Sequence, residues 1–366
     1  QGAFWSRLGD FVTRRPRSSG ALALLALLLL ALNVANVRYT YNLLDSFPAD
    51  SASRLGMEQL EAKYAPGQLA PTQVIVTSRA ADFGAAQLGA LADRLAQKPQ
   101  VATASVGRSP RIVEAPGGGH AGTFNLTFKA DPYGPAALNA IADLRTDEAA
   151  LLDAAGLSSE TSAVYFTGET AKAADERALN GRDTWVVVIL VALVLTLMLG
   201  LQTRSAIAPL YMMGTILLSY GAALGLATFV FQHVFGYAVM SDRMPLYAFV
   251  FLVALGVDYS IMLMSRIREE LAQHDTAEAV RRAVSRTGGV ISSAGVILAA
   301  TFAVLMTQSM RLLFMFGFTM AVGILLDTFL VRGVLIPAIV TVLDRWSFGW
   351  GVGPGASSET EAERSA

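Results

Sequence analysis

The sequence PLYAFVFLVALGVDYSIMLM occupies residues 245–264 and is long enough to cross a bilayer as one helix. Its only acid or base is Asp258, which Tyr259 follows directly. A charged side chain at the centre of a bilayer costs at least ~2.5–3.5 kcal/mol on insertion scales, so an acid there usually lines a proton or ion path. The charged run SRIREE at 265–270 follows directly. This stretch therefore indicates a proton-coupled membrane protein with Asp258 at its centre.

The composition fits that interpretation and excludes several others. Hydrophobic residues make up 53% of the 366 residues, and charged residues only 16%. The net charge of −1 argues against a nucleic-acid partner, which needs a basic surface. There is no cysteine, and His120, His233 and His274 lie far apart, so we expect no metal site. A P-loop motif is also missing, so we expect no ATP hydrolysis by a P-loop. We expect the protein to be no enzyme and to use no cofactor, with protons supplying the energy.

Six apolar runs predict a membrane bundle of six helices, at residues 20–37, 185–201, 207–231, 245–264, 290–306 and 314–343. The first run is too long for a signal peptide and lacks a clear cleavage site, so we interpret it as a retained helix. It follows an N-terminal segment, 1–19, and the other five form a bundle over 185–343. We expect the remainder, 38–184, to be a separate polar domain.

The placement of arginine predicts the orientation of these helices. The short loops after the third and the fifth span lie on one side of the membrane and carry only Arg243 and Arg311. The other side is far richer, with Arg7, Arg14, Arg15 and Arg17 before the first span and Arg266, Arg268, Arg281, Arg282 and Arg286 after the fourth. Because positive residues stay inside, both termini are predicted to be cytoplasmic. The domain 38–184 is then extracytoplasmic.

That domain has the sequence pattern of alternating strands and helices. Strands are predicted at 72–78, 101–107, 123–130 and 163–167, helices at 81–96 and 135–155, and a glycine loop at 117–119. The order β-α-β-β-α-β predicts a ferredoxin-like α+β fold. On the cytoplasmic side, 265–289 has the pattern of an amphipathic helix or helix pair, whose arginines form a solvated or headgroup-facing surface. The tail 344–366 is predicted to be disordered.

A second acid lies in the last span. Thr319, Gly323 and Asp327 recur every four residues and so share one face of a helix. Arg332 lies five residues beyond Asp327, which in an α-helix is about 140° around the axis and roughly 7–8 Å along it. We therefore expect Asp327 and Arg332 to find partners on other helices, either as a structural ion pair or in a titratable network with Asp258.

Small residues line two other spans and predict close helix packing. They are Gly221 and Gly225 in the third span, and Gly288, Ser292, Gly295 and Ala299 in the fifth. Ser292 or Ser293 is also a candidate to offer a hydroxyl to the acid of the fourth helix.

Several motifs resemble the MMPL branch of the resistance–nodulation–division (RND) transporters. They are GVDYS at 256–260 with SRIREE behind it, AVSRTG at 283–288, GETA at 168–171 and GILLDTFLVR at 323–332. The resemblance implies a proton relay of Asp258 and Tyr259, supported by Asp327 and Arg332. Thr319, on the same face of the last span as Asp327, is a further candidate for support. It also implies export of lipids, lipid-linked molecules or hydrophobic drugs across the bacterial plasma membrane.

The chain departs from the family in length. The family pattern has two such halves and twelve spans, whereas this chain has one half whose Asp-x4-Arg ending is similar to the second. Gln1 in place of an initiating Met suggests an excised fragment. We therefore expect a partner, either a homologous half or a second copy.

Two other classes of function stay open at this point. A protein-secretion accessory of the SecD/SecF type shares the plan of one helix, an outer domain and five helices. Alternatively, the chain is a non-transporting lipid sensor or scaffold whose acids are structural. The Asp-Tyr pair and the Asp-x4-Arg ending favour the exporter.

The predicted orientation can be tested by proteolysis of intact cells. Protease added outside should cut within 38–184 and spare 266–286, because only the former is predicted to face the medium. The same enzyme added to inverted vesicles is the control. Cleavage within 266–286 from outside would show that the orientation is inverted.

Overall fold

The computed structural model describes residues 2–80, 83–107, 111–115, 118–203, 205 and 207–344. The chain divides into two compact units, one formed by residues up to Tyr39 and from Asp183 onward, the other by Thr40–Arg182. Each unit has its own hydrophobic core. The predicted disordered tail beyond Asp344 and the first glycine of the predicted loop, Gly117, lie outside the described residues.

Among the described residues, six helices are long and apolar enough to cross a membrane, which confirms the predicted number. They are TM1 (Pro16–Asn36), TM2 (Glu169–Thr203), TM3 (Ile207–His233), TM4 (Met244–Leu271), TM5 (Thr276–Thr307) and TM6 (Arg311–Leu343). Several extend well beyond their apolar runs, because polar residues at the ends continue the helical turns. TM1 and TM5 each finish in a short 3₁₀ turn, Asn33–Asn36 and Val304–Thr307.

Small residues bring the spanning helices into close contact. A side chain added at Gly225 of TM3 would overlap the carbonyl oxygen of Leu30 in TM1. One added at Gly295 of TM5 would overlap the hydroxyl of Thr328 in TM6. The packing interpretation of the two small-residue stripes is therefore confirmed at these positions.

A helix that the sequence analysis did not predict, Gly2–Arg14, precedes TM1 and packs against TM5. Its Trp5 is buried, and the indole stacks on Phe329 of TM6 with 6.1 Å between ring centroids. A side chain at Gly288 of TM5 would overlap the same indole. Trp5 thus anchors this helix to both TM5 and TM6.

The segment 265–289 consists of the ends of two long helices. TM4 continues to Leu271, a short turn follows, and TM5 begins at Thr276. Several arginines here form ion pairs: Glu270 lies 3.1 Å from Arg266 and 2.7 Å from Arg286, and Glu278 lies 2.6 Å from both Arg281 and Arg282. These acids neutralise part of the positive charge at this end of the bundle.

The second unit contains a five-stranded antiparallel sheet. After the short strand β1 (Tyr39–Thr40), its strands are β2 (Thr72–Ser78), β3 (Val101–Ser105), β4 (Ile112–Glu114), β5 (His120–Phe128) and β6 (Ser162–Thr167); β7 (Met240–Ser241) belongs to the bundle. The strand order is β3-β5-β2-β6, with β4 paired to β5. Helices lie at Ala52–Glu61, Pro66–Leu69, Ala85–Ala96, Pro135–Thr146 and Glu148–Ala154.

The core of this unit follows from the alternation of its strands. Val74 and Val76 of β2 and Leu126 of β5 are fully buried, and the helix Ala85–Ala96 covers them with the predicted leucines, including Leu88. The predicted helix over 135–155 is interrupted at Asp147, which separates two shorter helices. Strand β4 was missed because three residues are too few to show a periodic pattern.

Replacing Gly225 by alanine should destabilise the bundle by about 1–3 kcal/mol, because the added methyl group overlaps a backbone oxygen of TM1. Gly214→Ala, on the same helix, is the matched control, since a Cβ atom there has no neighbour within 4 Å. Both changes favour the helix equally by propensity. Reversible unfolding in detergent micelles measures the difference, and equal stability of the two variants would contradict the packing.

Candidate functional site

The site lies where TM6 changes its helical geometry. TM6 is α-helical over Arg311–Leu325, π-helical over Leu326–Leu335, and α-helical again over Ile336–Leu343. The Ile336 N–H donates to the Val331 carbonyl, five residues earlier. A π-helix closes i→i+5 hydrogen bonds, is rare, and is found frequently at functional sites.

Asp327 and Arg332 lie inside this π-helical segment and pair with each other. Both are buried, with 8% and 3% of their surfaces exposed, and the guanidinium Nη2 donates to the Asp327 carboxylate. Our expectation that the two residues would not pair with each other is wrong, although Arg332 does have partners on another helix as well. It assumed an α-helix, in which residues five apart face different sides, whereas the i→i+5 geometry places them one turn above each other.

Arg332 also joins TM6 to TM4. Its Nη2 donates to the carbonyl oxygens of Leu255 and Gly256, each at 3.2 Å. The guanidinium carbon lies 4.6 Å from the centroid of the Tyr259 ring, in a cation–π contact. A planar guanidinium can stack its face on the ring while its N–H groups donate in the plane. The backbone and the tyrosine of TM4 are thus held by one side chain of TM6.

A small cavity borders the cluster formed by Tyr259, Asp327 and Arg332. It has a volume of about 10 Å³, which is about the space one water molecule needs, and Tyr259, Asp327 and Arg332 line it. Asp327 Oδ1 and Arg332 Nε and Nη1 are buried beside it and have no hydrogen-bond partner among the described residues. The ion pair therefore retains unused donors and an acceptor next to a space of about the size of one water molecule.

Asp258 lies on a different side of TM4 from the residues that contact Arg332. It is exposed, whereas Tyr259 is half-buried and Ser260 is buried, with its hydroxyl donating to Gly256 O at 2.7 Å. Exposed positions of TM4 are Tyr247, Val250, Phe251, Ala254, Asp258, Ser265 and Glu269, and Tyr247, Phe251, Ala254 and Asp258 follow one another at helical spacing as a stripe. Within this stripe, Phe251 contacts the rings of Phe302 and Phe316, whereas Asp258 is exposed.

The three hydroxyls that were candidates to support the relay, those of Thr319, Ser292 and Ser293, donate to carbonyl oxygens of their own helices. Thr319 is fully buried and donates to Met315 O at 2.9 Å, one turn earlier on TM6. Ser292 and Ser293 donate to Gly289 O and Val290 O of TM5. The structure therefore brings Tyr259, Asp327 and Arg332 together and leaves these three hydroxyls outside the cluster.

Sequence reasoning missed two contributors from TM3. Ser219 and Tyr220 line the cavity, and the Tyr220 hydroxyl donates to Pro245 O of TM4 at 3.0 Å. Neither residue stands out in an apolar helix. The π-helical turn, by contrast, has a sequence signal: an acid and a base spaced by five residues inside a membrane span.

The chain matches the model of the MMPL family over residues 45–358. It is 40% identical over 355 residues to a putative membrane protein of Streptomyces coelicolor, which covers 96% of this chain and 40% of that protein. It is 36% identical over 363 residues to the apo-petrobactin exporter of Bacillus anthracis, covering 99% of this chain and 47% of that protein. A third relative, the probable transport protein MmpL12 of Mycobacterium tuberculosis, is 38% identical over 208 residues, 56% of this chain and 18% of that protein.

The six apolar helices among the described residues, with an ion pair buried inside the bundle, define a multi-pass membrane protein. With the match over most of its length, the chain belongs to the MMPL family. The family resemblance seen in the sequence motifs is therefore confirmed. The chain spans less than half the length of the first two relatives, at 40% and 47%.

Replacing Arg332 by methionine should destabilise the protein by about 3–5 kcal/mol, because it leaves the Asp327 carboxylate buried without its partner. The double variant Asp327→Leu/Arg332→Met carries no unpaired charge and should lose clearly less. Unfolding in detergent micelles, with Asp327→Leu as the other single variant, measures both. A loss in the double variant equal to the sum of the single losses would contradict the pairing.

Proposed function

We propose that this chain is half of a proton-driven exporter of hydrophobic or amphiphilic molecules, lipids among them, in the bacterial plasma membrane. The observation that carries the proposal is the arrangement around TM4. Asp258 is exposed in the middle of a spanning helix, and the adjacent Tyr259 stacks on a buried arginine of TM6. An ionisable group at that depth is costly and is usually kept for proton or ion movement.

In the proposed relay, Asp258 alternates between a protonated and an ionised form. Each inward proton at 100 mV supplies ~2.3 kcal/mol. A change of charge at Asp258 acts on Arg332 through Tyr259 and through the Leu255 and Gly256 carbonyls, to which the guanidinium donates. Because Arg332 is held by the π-helical turn of TM6, movement of TM4 and TM6 would be coupled. No cofactor takes part in this scheme.

The exposed acid also supports a partner in the membrane. Lipid would leave the carboxylate of Asp258 unsolvated, whereas a second helical half could cover the stripe that contains it. Tyr247 and Phe251, each 48% exposed, give that stripe an apolar surface on which another helix can pack. We propose that the partner is a homologous half or a second copy of this chain.

The second unit is proposed to be an extracytoplasmic, ferredoxin-like porter domain. Its elements follow the order β-α-β-β-α-β, and the sheet order β3-β5-β2-β6 supports this assignment, with β4 as an added edge strand. Arginines are concentrated before the first span and after the fourth span, on the opposite side of the membrane from this domain. That distribution supports its location outside the cytoplasm.

Family membership supports the exporter over the two other classes. One relative is named an apo-petrobactin exporter and another a probable transport protein, so transport is the shared feature of these names. A secretion accessory of the SecD/SecF type would belong to a different family. A sensor or scaffold would not need an ionisable residue exposed at mid-span. Its acids could all be buried and paired, as Asp327 is.

Asp258→Asn should abolish substrate-coupled proton flux, because asparagine keeps the shape and hydrogen bonding of aspartate but cannot bind and release a proton. Flux is measured in vesicles that contain the protein and its partner half, under an imposed proton gradient. Asp275→Asn, in the turn before TM5, is the matched control and should transport normally. Wild-type flux with wild-type pH dependence in Asp258→Asn would show that the acid is only structural.

A cysteine at position 254 should crosslink to a partner half, since Ala254 lies one turn from Asp258 on the exposed stripe. The natural chain has no cysteine, so the introduced thiol is unique. Membranes containing a tagged second copy or a homologous half are treated with a short bifunctional reagent. Leu190→Cys, on an exposed position of TM2, is the control and should react little. Equal crosslinking at both positions would argue against an interface at Asp258.

A further inference from the structure

A second feature of the bundle is an apolar groove whose lining includes neither residue of the ion pair. It has a volume of about 500 Å³ and lies between TM1, TM3 and TM6, with Arg17 at one end of its lining. Its walls include Leu24 of TM1, Leu218 of TM3 and Val342 of TM6. TM1 and TM3 begin here and TM6 ends here, so the groove opens at one membrane face.

We infer that this groove holds one acyl chain of an anionic phospholipid, whose phosphate is bound by Arg17. The inference concerns a resident lipid and is independent of the transported substrate. It uses the proposed orientation only to place the lipid in the cytoplasmic leaflet.

The length of the groove fits an acyl chain better than a helix. Its lining covers residues 16–24 of TM1, 211–218 of TM3 and 335–343 of TM6. Seven to eight steps of an α-helix rise about 10–12 Å, which is within the roughly 15 Å of one hydrocarbon leaflet. A spanning helix of a partner would need the full ~30 Å. The groove therefore matches a ligand that enters from one leaflet only.

The charge at the mouth selects an anionic headgroup. Arg14, Arg15 and Arg17 are exposed, and none of them forms an ion pair with an acid in the described part of the chain. The arginines at the TM4–TM5 turn differ, because Glu270 and Glu278 already pair with four of them. A basic pocket between spanning helices is the expected site for a phospholipid headgroup.

The test counts retained lipids by native mass spectrometry. The full chain is extracted from membranes of equal phosphatidylglycerol and phosphatidylcholine content, with no proton gradient. Wild type should retain phosphatidylglycerol preferentially, and Arg17→Gln should lower that preference about fivefold, equivalent to ~1 kcal/mol for one arginine near an anionic surface. Arg7→Gln removes an exposed arginine outside the groove and is the charge-matched control.

A second variant tests the groove itself. Gly214 lines it and a Cβ atom there has no neighbour within 4 Å, so Gly214→Phe can fill the groove without disturbing the fold. It should abolish lipid retention, whereas Gly289→Phe, at an equally open glycine of TM5, should not. Retention that is the same in wild type, Arg17→Gln and Gly214→Phe would overturn the inference. Equal loss in Gly214→Phe and Gly289→Phe, or retention without preference for phosphatidylglycerol, would overturn it as well. Because no transport is measured, failure here leaves the exporter proposal unaffected.

Discussion

A buried guanidinium links the two helices that matter most for the proposed function. Arg332 pairs with Asp327 on TM6, donates to two carbonyl oxygens of TM4 and stacks on Tyr259. A buried cation is tolerated only when it is paired and hydrogen-bonded, so these contacts constrain where TM4 and TM6 can lie. The π-helical turn exists at the position where that constraint is met. A shift of TM4 against TM6 would break the contacts of the guanidinium with the Leu255 and Gly256 carbonyls and with Tyr259, and leave it only Asp327.

The two intramembrane acids differ in whether they have a buried cation as partner. Asp327 has a cationic partner within its own chain, whereas Asp258 is exposed on the neighbouring helix, one residue before the tyrosine that the cation contacts. A fixed pair beside a free acid is an arrangement in which one group can change its charge while the other maintains the structure. The cavity of about 10 Å³ that Tyr259, Asp327 and Arg332 line provides space for one water molecule beside the ion pair.

Much of this architecture could be predicted from the sequence, because hydrophobicity is a local property. Six apolar runs gave six helices, and strand alternation gave the four longer strands of the sheet. The Asp327–Arg332 contact was not predicted, since it depends on a π-helical turn that a helical-wheel argument excludes. The helix Gly2–Arg14 was missed because it is stabilised by packing of Trp5 against TM5 and TM6. Ser292 or Ser293 was predicted to offer a hydroxyl to Asp258 of TM4. Both hydroxyls instead donate to backbone carbonyls of their own helix, which are nearer partners.

The central claim is that Arg332 couples TM6 to TM4 through Tyr259. A double-mutant cycle with Tyr259→Leu and Arg332→Met, measured by unfolding in detergent micelles, tests it most directly. A desolvated cation–π contact predicts a coupling energy of about 2 kcal/mol between the two side chains. Effects that add within about 0.3–0.5 kcal/mol would contradict the claim, because they would show that the two residues act independently.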